Sequence, residues 1–144
     1  MMKFAVLLSC VLFFQAARAG DTDDEIVGIW RNASGKGHVQ IYKDKGKYYG
    51  KLVWLKKTHD EQGKPYLDKN NPSKQHCSRP LLGLVMLKDF TYDDGEWTGG
   101  KVYNPEDGKE YKSFMKLKDH ETLSVRGYVG FSWIGKTLTF DRVN

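Results

Sequence analysis

Apolar and polar residues alternate with a period of two along most of the chain after Ile26, and turn-forming residues interrupt this alternation at intervals of roughly eight to twelve residues. Such alternation is typical of β-strands that bury one face, and no stretch shows a convincing long helix. The interruptions are rich in Gly, Asn and Asp, which tolerate the backbone angles of tight hairpins. We therefore predict eight strands, at about residues 26–32, 37–43, 47–57, 82–92, 96–103, 109–118, 121–129 and 135–143.

The two faces of the predicted strands differ in polarity, as the second strand illustrates. Val39 and Ile41 share one face, whereas His38, Gln40 and Tyr42 share the other. Eight sequential hairpin strands with one apolar face bury that face most economically when the sheet closes into a barrel. The predicted fold class is all-β, an antiparallel up-and-down eight-stranded barrel of the lipocalin or calycin type. A curled open sheet is the alternative.

The first nineteen residues have the three zones of a cleavable export signal. Lys3 precedes an apolar run at 4–14, and the triplet at 17–19 supplies the small residues that a signal peptidase recognises. The apolar run is shorter than the ~20 residues that a membrane-spanning helix needs. We expect a signal peptide at 1–19 with cleavage after Ala19, one β-barrel domain at 20–144 without a transmembrane span, and a periplasmic or secreted location. A buried N-terminal helix and lipid attachment at Cys10 are the alternatives.

The charge distribution and the cysteine content limit the possible partners and the possible sources of stability. The chain has 23 Lys and Arg residues against 18 Asp and Glu residues, and removal of the signal leaves 21 basic residues. Lysines alternate with acidic residues, as at 43–47, so the sequence lacks the single-sign stripe that binds nucleic acid. Cys10 leaves with the signal, so Cys77 remains alone and cannot form an intramolecular disulfide. We therefore expect no nucleic-acid partner and a fold that its core alone stabilises.

Two distant segments are expected to meet at one end of the barrel. Gly28-Ile29-Trp30 lies on the first predicted strand and Arg142 on the last, and these strands are neighbours in a closed barrel. In lipocalins, a Gly-x-Trp triplet on the first strand is covered by a basic side chain from the last, and this arrangement is similar. We expect Gly28, Trp30 and Arg142 to form a structural barrel end.

A more specific resemblance covers nearly the whole chain after the signal. Its most specific part is the uninterrupted run from Trp97 to Tyr111, and the other segments are 28–30, 49–52, 71–72, 79–84 and 125–130. Together these segments resemble the domain of unknown function 2147 family. The resemblance implies an exported bacterial protein with a lipocalin-like β-barrel and no agreed activity. Some relatives carry a cysteine pair in the long loop, whereas this chain has only Cys77 there.

A cavity inside the barrel would be lined by the inward-facing positions, where tyrosine hydroxyls could orient a polar group of a ligand. Arg126 should point outward, because Leu123 and Val125 take the inner face, unless the alternation slips at Gly127 and turns it inward toward a carboxylate. The alternative for the whole interior is a barrel that fills with its own side chains. The candidate ligand-binding residues are Leu52, Trp54, Met86, Tyr103, Tyr111, Met115, Val125 and Arg126.

The sequence contains no pattern of a catalytic or metal site. His76 and Cys77 are neighbours whose side chains would point in opposite directions on an extended chain. The clustered carboxylates at 93–94 and 106–107 lie in predicted turns, where Asp serves the turn itself. We expect no catalysis, no metal and no cofactor.

Three hypotheses of function follow. The first is an exported barrel that binds a small hydrophobic ligand, such as a fatty acid or lipid, without catalysis. The second is an envelope protein-protein interaction module with a filled barrel, which would use the long loop from Thr58 to Pro80 and exposed aromatics such as Tyr42, Tyr48 and Trp133. The third is a hydrolase or isomerase whose residues converge only in three dimensions. Loops as long as this one are often functional, and a plain surface excursion is the other interpretation.

Overall fold

A computed structural model describes residues 22–144, so the predicted signal peptide and its cleavage site lie outside the described residues. A short 3-10 helix, Asp23–Ile26, precedes eight strands. The strands are β1 Gly28–Asn32, β2 Gly37–Asp44, β3 Lys47–Leu55, β4 Val85–Asp93, β5 Glu96–Asn104, β6 Lys109–Asp119, β7 Thr122–Tyr128 and β8 Gly135–Arg142. Across these residues, no helix is long and apolar enough to cross a membrane.

Each strand pairs antiparallel with its neighbour in sequence, and β8 pairs with β1, so the sheet closes into a barrel. The predicted fold class is confirmed, and the curled open sheet is excluded. The predicted strand limits are close to the observed ones. They differ by two or three residues at the start of β1, where Asp23–Ile26 is helical, at the end of β3, and before β4, where residues 82–84 do not belong to the strand.

The direction of the strands divides the barrel into two ends. The 3-10 helix and the turns after β2, β4 and β6 lie at one end, which we call the closed end. The turns after β1, β5 and β7 lie at the other end, together with the long connection 56–84, and we call it the open end. Most of the irregular chain is therefore at the open end.

The core lies inside the barrel. The four largest fully buried side chains come from four different strands and are Trp30, Trp97, Tyr48 and Phe90. The ring of Phe90 on β4 lies over Gly100 on the neighbouring strand β5, where a Cβ would lie 2.5 Å from that ring. The glycine at position 100 thus lets one aromatic ring occupy the space of two side chains.

The seam between the first and last strands is short. β8 pairs with β7 along its whole length, but it pairs with β1 only at Phe140–Arg142. The first half of β8, residues 135–138, therefore has a strand neighbour on one side only. This asymmetry leaves the barrel less completely closed at its open end.

Candidate functional site

An arginine stacked on a tryptophan covers the closed end. The guanidinium carbon of Arg142 lies 4.2 Å from the ring centroid of Trp30, which is fully buried. Arg142 also donates hydrogen bonds to the backbone oxygens of Glu25 at 2.7 Å and His120 at 2.8 Å. Trp30 Nε1 donates to the backbone oxygen of Ile26 at 2.9 Å, so the polar atom of the indole is also paired.

Gly28 leaves the space that this stack needs. A Cβ at that position would lie 2.9 Å from Arg142 Nη1, and the backbone φ of +149° is one that side-chain-bearing residues rarely adopt. The three residues predicted to form a barrel end are in contact with one another. Their contacts are with the protein itself, so we assign them a structural role.

The 3-10 helix Asp23–Ile26 is tied to the same end by a cluster of polar contacts. The Tyr48 hydroxyl donates to Asp24 Oδ1 at 2.9 Å, and Lys43 Nζ lies 3.0 Å from Asp23 Oδ2. Burial, reinforced by the hydrogen bond with Asp24, raises the pKa of Tyr48 to about 12. The hydrogen bond with Asp23 raises the pKa of Lys43 above its ordinary value. Tyr48 is thus a buried residue, and its expected role as an exposed contact was wrong, because its side chain lies on the inner face of β3.

Near the closed end, the barrel interior is filled by its own side chains. An internal gap near the closed end has no room for a water molecule, and it is lined by Trp30, Val39, Ile41, Leu87, Leu123, Val125 and Phe140. Among the predicted lining residues, Leu52, Met115 and Val125 are buried in this core. An eight-stranded barrel is just wide enough for side chains to fill it. The predicted internal cavity is therefore absent near the closed end, and the packing is the kind that the interaction hypothesis requires.

Two further predicted lining residues lie at the margin of the core. Met86 is half-buried and packs against the core cluster. Tyr111 is half-buried on the same face of β6 as buried Ser113, and its hydroxyl donates to the carboxylate of Asp107. This hydrogen bond raises the pKa of Tyr111 above its ordinary value. The hydroxyl therefore stabilises the turn between β5 and β6 at the open end.

Trp54 lies outside the barrel, opposite to the prediction. Leu52 pairs with Val39 and Trp54 pairs with His38, so Val53 is an extra residue in β3. Because successive strand residues point to opposite faces, one inserted residue reverses the faces of all that follow. Trp54 stacks on His38 with ring centroids 4.4 Å apart and remains 42% exposed.

Tyr103 also lies outside the barrel, and the cause is again a bulge. β5 gains one residue relative to β6 between Trp97 and Gly100, where Gly99 adopts a φ of +71°. The strict alternation from Trp97 would have placed Tyr103 inside. After the bulge it points to the outer wall.

Arg126 takes the outward orientation, the first of the two that the sequence allows. Its Nε donates to the backbone oxygen of Ser132 at 2.9 Å, and its Nη1 donates to Thr137 Oγ1 at 2.9 Å. The guanidinium therefore holds the turn between β7 and β8. Its placement does not fit a role in lining an internal cavity.

The long connection 56–84 packs against the outer wall at Tyr103. The Tyr103 hydroxyl donates to Oδ1 of the fully buried Asp68 at 2.6 Å, and Asn71 Nδ2 donates to Oδ2 of the same carboxylate at 2.8 Å. Burial, together with the hydrogen bond to Asp68, raises the pKa of Tyr103 to about 12. A buried carboxylate that accepts two hydrogen bonds is a specific anchor. The loop from Thr58 to Pro80 is therefore packed against the barrel in a defined position.

A second anchor joins this loop to the turn between β5 and β6. Asn70 Nδ2 donates to the backbone oxygens of Pro105 and Glu106, both at 3.0 Å. A Cβ on Gly108 would collide with the backbone oxygen of Asn70, and the φ of Gly108 is +71°. The glycine therefore permits the close approach of two backbones.

A groove of about 620 Å³ lies between the long connection and the outer wall, and we call it the loop groove. Its apolar lining residues are Pro72, Pro80, Leu82, Leu84 and Val85. Its polar lining residues are Asn71, His76, Arg79, Lys88, Tyr103 and Glu110. Small-molecule sites likewise combine apolar residues with polar groups that orient the ligand.

The charges in the loop groove leave one cation available. Lys88 Nζ lies 3.3 Å from Glu110 Oε1, so these two charges compensate each other. None of the ion pairs found in residues 22–144 involves Arg79. The backbone of Arg79 is fixed by a hydrogen bond from the Asp68 amide to its carbonyl at 2.8 Å. The groove therefore combines apolar side chains with the exposed guanidinium of Arg79, which has no ion-pair partner among residues 22–144.

Comparisons with known proteins agree with this architecture. The sequence matches, over residues 28–142, the family described as an uncharacterized protein conserved in bacteria, DUF2147. This chain belongs to that family. The DUF2147 barrel is similar to a solved structure described as protein HP1028 from the human pathogen Helicobacter pylori, which belongs to the lipocalin family, with a TM-score of 0.68, 26% sequence identity and 82% of each chain covered. A search of curated proteins found no match.

The loop groove of this DUF2147 member was not predicted from the sequence. The predicted ligand-binding residues were placed inside the barrel, whereas the groove is formed by the loop and the outer wall. The segment 79–84, which belongs to the family resemblance, places Arg79 close to Leu82 and Leu84 and was the available signal. Within the described part of the chain, no group of three or more His, Cys, Asp and Glu side chains could hold a metal ion.

Proposed function

We propose that this chain is an exported binding protein that takes a small amphiphilic molecule into the loop groove and does not transform it. The ligand has an apolar body and an acidic group, as a fatty acid has. The observation that carries the proposal is the combination, in one groove of about 620 Å³, of apolar side chains with the exposed guanidinium of Arg79. Small-molecule sites typically have volumes of roughly 300–1,000 Å³.

The chemistry of the groove selects the acidic group. A guanidinium can donate two parallel hydrogen bonds to one carboxylate, and these are among the strongest hydrogen bonds in proteins. Leu82, Leu84 and Val85 can cover an alkyl chain, since burial of apolar area stabilises a complex. The ligand class is the one that the sequence suggested, but the site is the outer groove because the interior gap admits no water molecule.

Two further observations support the proposal. The N-terminal pattern of charged, apolar and small residues supports export, and the family is conserved in bacteria. The lipocalin-like fold supports ligand binding by analogy, although the site itself must carry the argument. Neither export nor ligand binding requires a catalytic residue.

Isothermal titration calorimetry of residues 20–144 with decanoate and with 1-decanol tests this function. Decanoate, kept below its micellar concentration, should bind saturably, and decanol should bind more weakly because it lacks the charge. Arg79→Gln should weaken decanoate binding by about tenfold or more, since it removes a charge-assisted hydrogen bond. The same substitution should leave decanol binding nearly unchanged.

Arg31→Gln is the matched control. Arg31 is an exposed arginine whose Nη2 lies 3.9 Å from Asp141 Oδ2, and it does not line the loop groove. The control should bind decanoate as the unmodified chain does. Absence of saturable decanoate binding would reject the proposed function, and so would an equal loss in both variants.

A further inference from the structure

The turn between β7 and β8 presents an exposed apolar surface at the open end. Val129, Phe131, Trp133 and Ile134 are the four most exposed large apolar side chains of the described residues, with Trp133 71% exposed. We call these four residues the apolar tip. The rings of Phe131 and Trp133 are stacked, with centroids 4.5 Å apart and planes 9° from parallel. Clusters of exposed apolar side chains commonly mark an interaction site.

The apolar tip is held in shape by hydrogen bonds. The Val129 amide donates to the Ile134 oxygen at 3.1 Å, and the Ile134 amide donates to the Phe131 oxygen at 2.9 Å. The Arg126 guanidinium holds the Ser132 oxygen from the outer wall. The rings are therefore presented in a fixed arrangement, which lowers the entropy cost of binding.

The two ends of the barrel differ in charge. Outside the strands, and so apart from Lys43 and Arg142, the described segments of the closed end contain Lys45 and five acidic residues, which are Asp23, Asp24, Glu25, Asp94 and Glu121. The open-end segments carry seven basic residues, which are Lys36, Lys56, Lys57, Lys64, Lys69, Lys74 and Arg79. These segments carry five acidic residues, of which Asp68 is buried under Tyr103. An anionic surface would therefore attract the open end and repel the closed end.

We propose that the open end docks on a lipid bilayer that contains anionic lipid, with Phe131 and Trp133 inserted at the level of the headgroups. Aromatic rings, tryptophan above all, are favoured at that level, and basic side chains beside them are attracted to anionic lipid. A protein partner is a poorer fit, because one six-residue turn offers much less than the roughly 800 Å² per partner of a standard protein interface.

Co-sedimentation of residues 20–144 with vesicles tests the docking. Vesicles of phosphatidylcholine with phosphatidylglycerol should bind the protein, and vesicles of phosphatidylcholine alone should bind it less. High salt should weaken the binding, since it screens the charges. The double variant Phe131→Ser/Trp133→Ser should reduce the partition coefficient by about tenfold or more, because the two aromatic rings together contribute at least this order of affinity.

Ile29→Ser provides the control, because Ile29 is an exposed apolar residue near the start of β1, at the closed end, and does not belong to the apolar tip. Its vesicle binding should equal that of the unmodified chain. Equal losses in the control and the double variant would overturn the proposal. An absence of vesicle binding would also overturn it, and a photocrosslink from position 133 to an envelope protein would then assign the surface to a protein partner.

The docking does not depend on the groove ligand, and one measurement separates the two proposals. The double variant at 131 and 133 should still bind decanoate, because neither residue lines the loop groove. If vesicle binding fails while decanoate binding persists, only the docking is rejected. If decanoate binding fails while vesicle binding persists, only the proposal of a ligand in the loop groove is rejected.

Discussion

At the scale of single residues, the closed end depends on side chains that combine an apolar body with a polar group. Trp30 buries its whole indole and still pairs its Nε1 with the Ile26 oxygen. Arg142 covers that ring and donates to backbone oxygens of Glu25, Val27 and His120. A cation over an aromatic face is attractive, and the attraction grows when both groups leave water.

Replacement of Trp30 by Ala should lower the free energy of unfolding by ~3–5 kcal/mol, because it leaves a large cavity in a packed core. Urea-induced unfolding, followed by circular dichroism, would measure the change. Trp54→Ala is the control, and it should cost much less because that side chain is 42% exposed. A loss below about 1 kcal/mol at Trp30 would contradict its place in the core.

At the scale of elements, the sequence alone was sufficient for the strands but not for their faces. The alternation of Val39 and Ile41 with polar neighbours identified β2 correctly, because a half-buried strand requires that period. The same period failed at Trp54 and Tyr103, each of which follows a bulge. A bulge depends on the register in which two strands pair, and this register is difficult to predict from a single sequence. The glycine at 99 was a local sign of irregularity, but it did not say which residues would change face.

The long connection also escaped sequence reasoning, since its anchors join segments far apart in sequence. Asp68 was one acidic residue among several, and only the fold places it under Tyr103. Turn chemistry could identify the loop but not the wall against which it packs. The loop groove follows from that packing, and the candidate site could not be located without it.

Gly108→Ala should detach the long connection from the β5–β6 turn, because the new Cβ would collide with the Asn70 oxygen. Limited proteolysis should then cleave within 56–84 several times faster, while the barrel strands stay protected. Gly63→Ala is a close control: its φ is +74°, and a Cβ there meets nothing within 4 Å. The control measures backbone strain alone. Equal cleavage rates in the two variants would show that the contact at Gly108 does not hold the loop.

At the scale of the whole molecule, the two ends differ in packing and in charge. The closed end is packed, hydrogen-bonded and acidic, and its exposed helix is tied down by Lys43 and Tyr48. The open end carries the loop groove, the apolar tip and the half of β8 that pairs with β7 but not with β1. Regions with few buried apolar contacts open more readily than the core does. We therefore expect stability to fall from the closed end to the open end.

Amide hydrogen exchange should reveal this gradient within the single strand β8. Amides in 135–138 should exchange faster than those in 140–142, because only the latter region has strand neighbours on both sides. Residues 124–125 of β7, which are paired on both sides, serve as an internal reference. The measurement is exchange into deuterated buffer followed by NMR. Uniform protection along β8 would contradict the gradient.

The contact between Arg142 and Glu25 also bears on how the chain folds. It joins residues 117 positions apart, whereas each hairpin joins residues that are close in sequence. Loop-closure entropy makes so distant a contact cost roughly 3 kcal/mol more than a tight turn. The hairpins can therefore form early, and the seam between β8 and β1 closes late. Until it closes, both strands present unpaired backbone to other chains, so the speed of this last step sets how long the folding protein is exposed to aggregation.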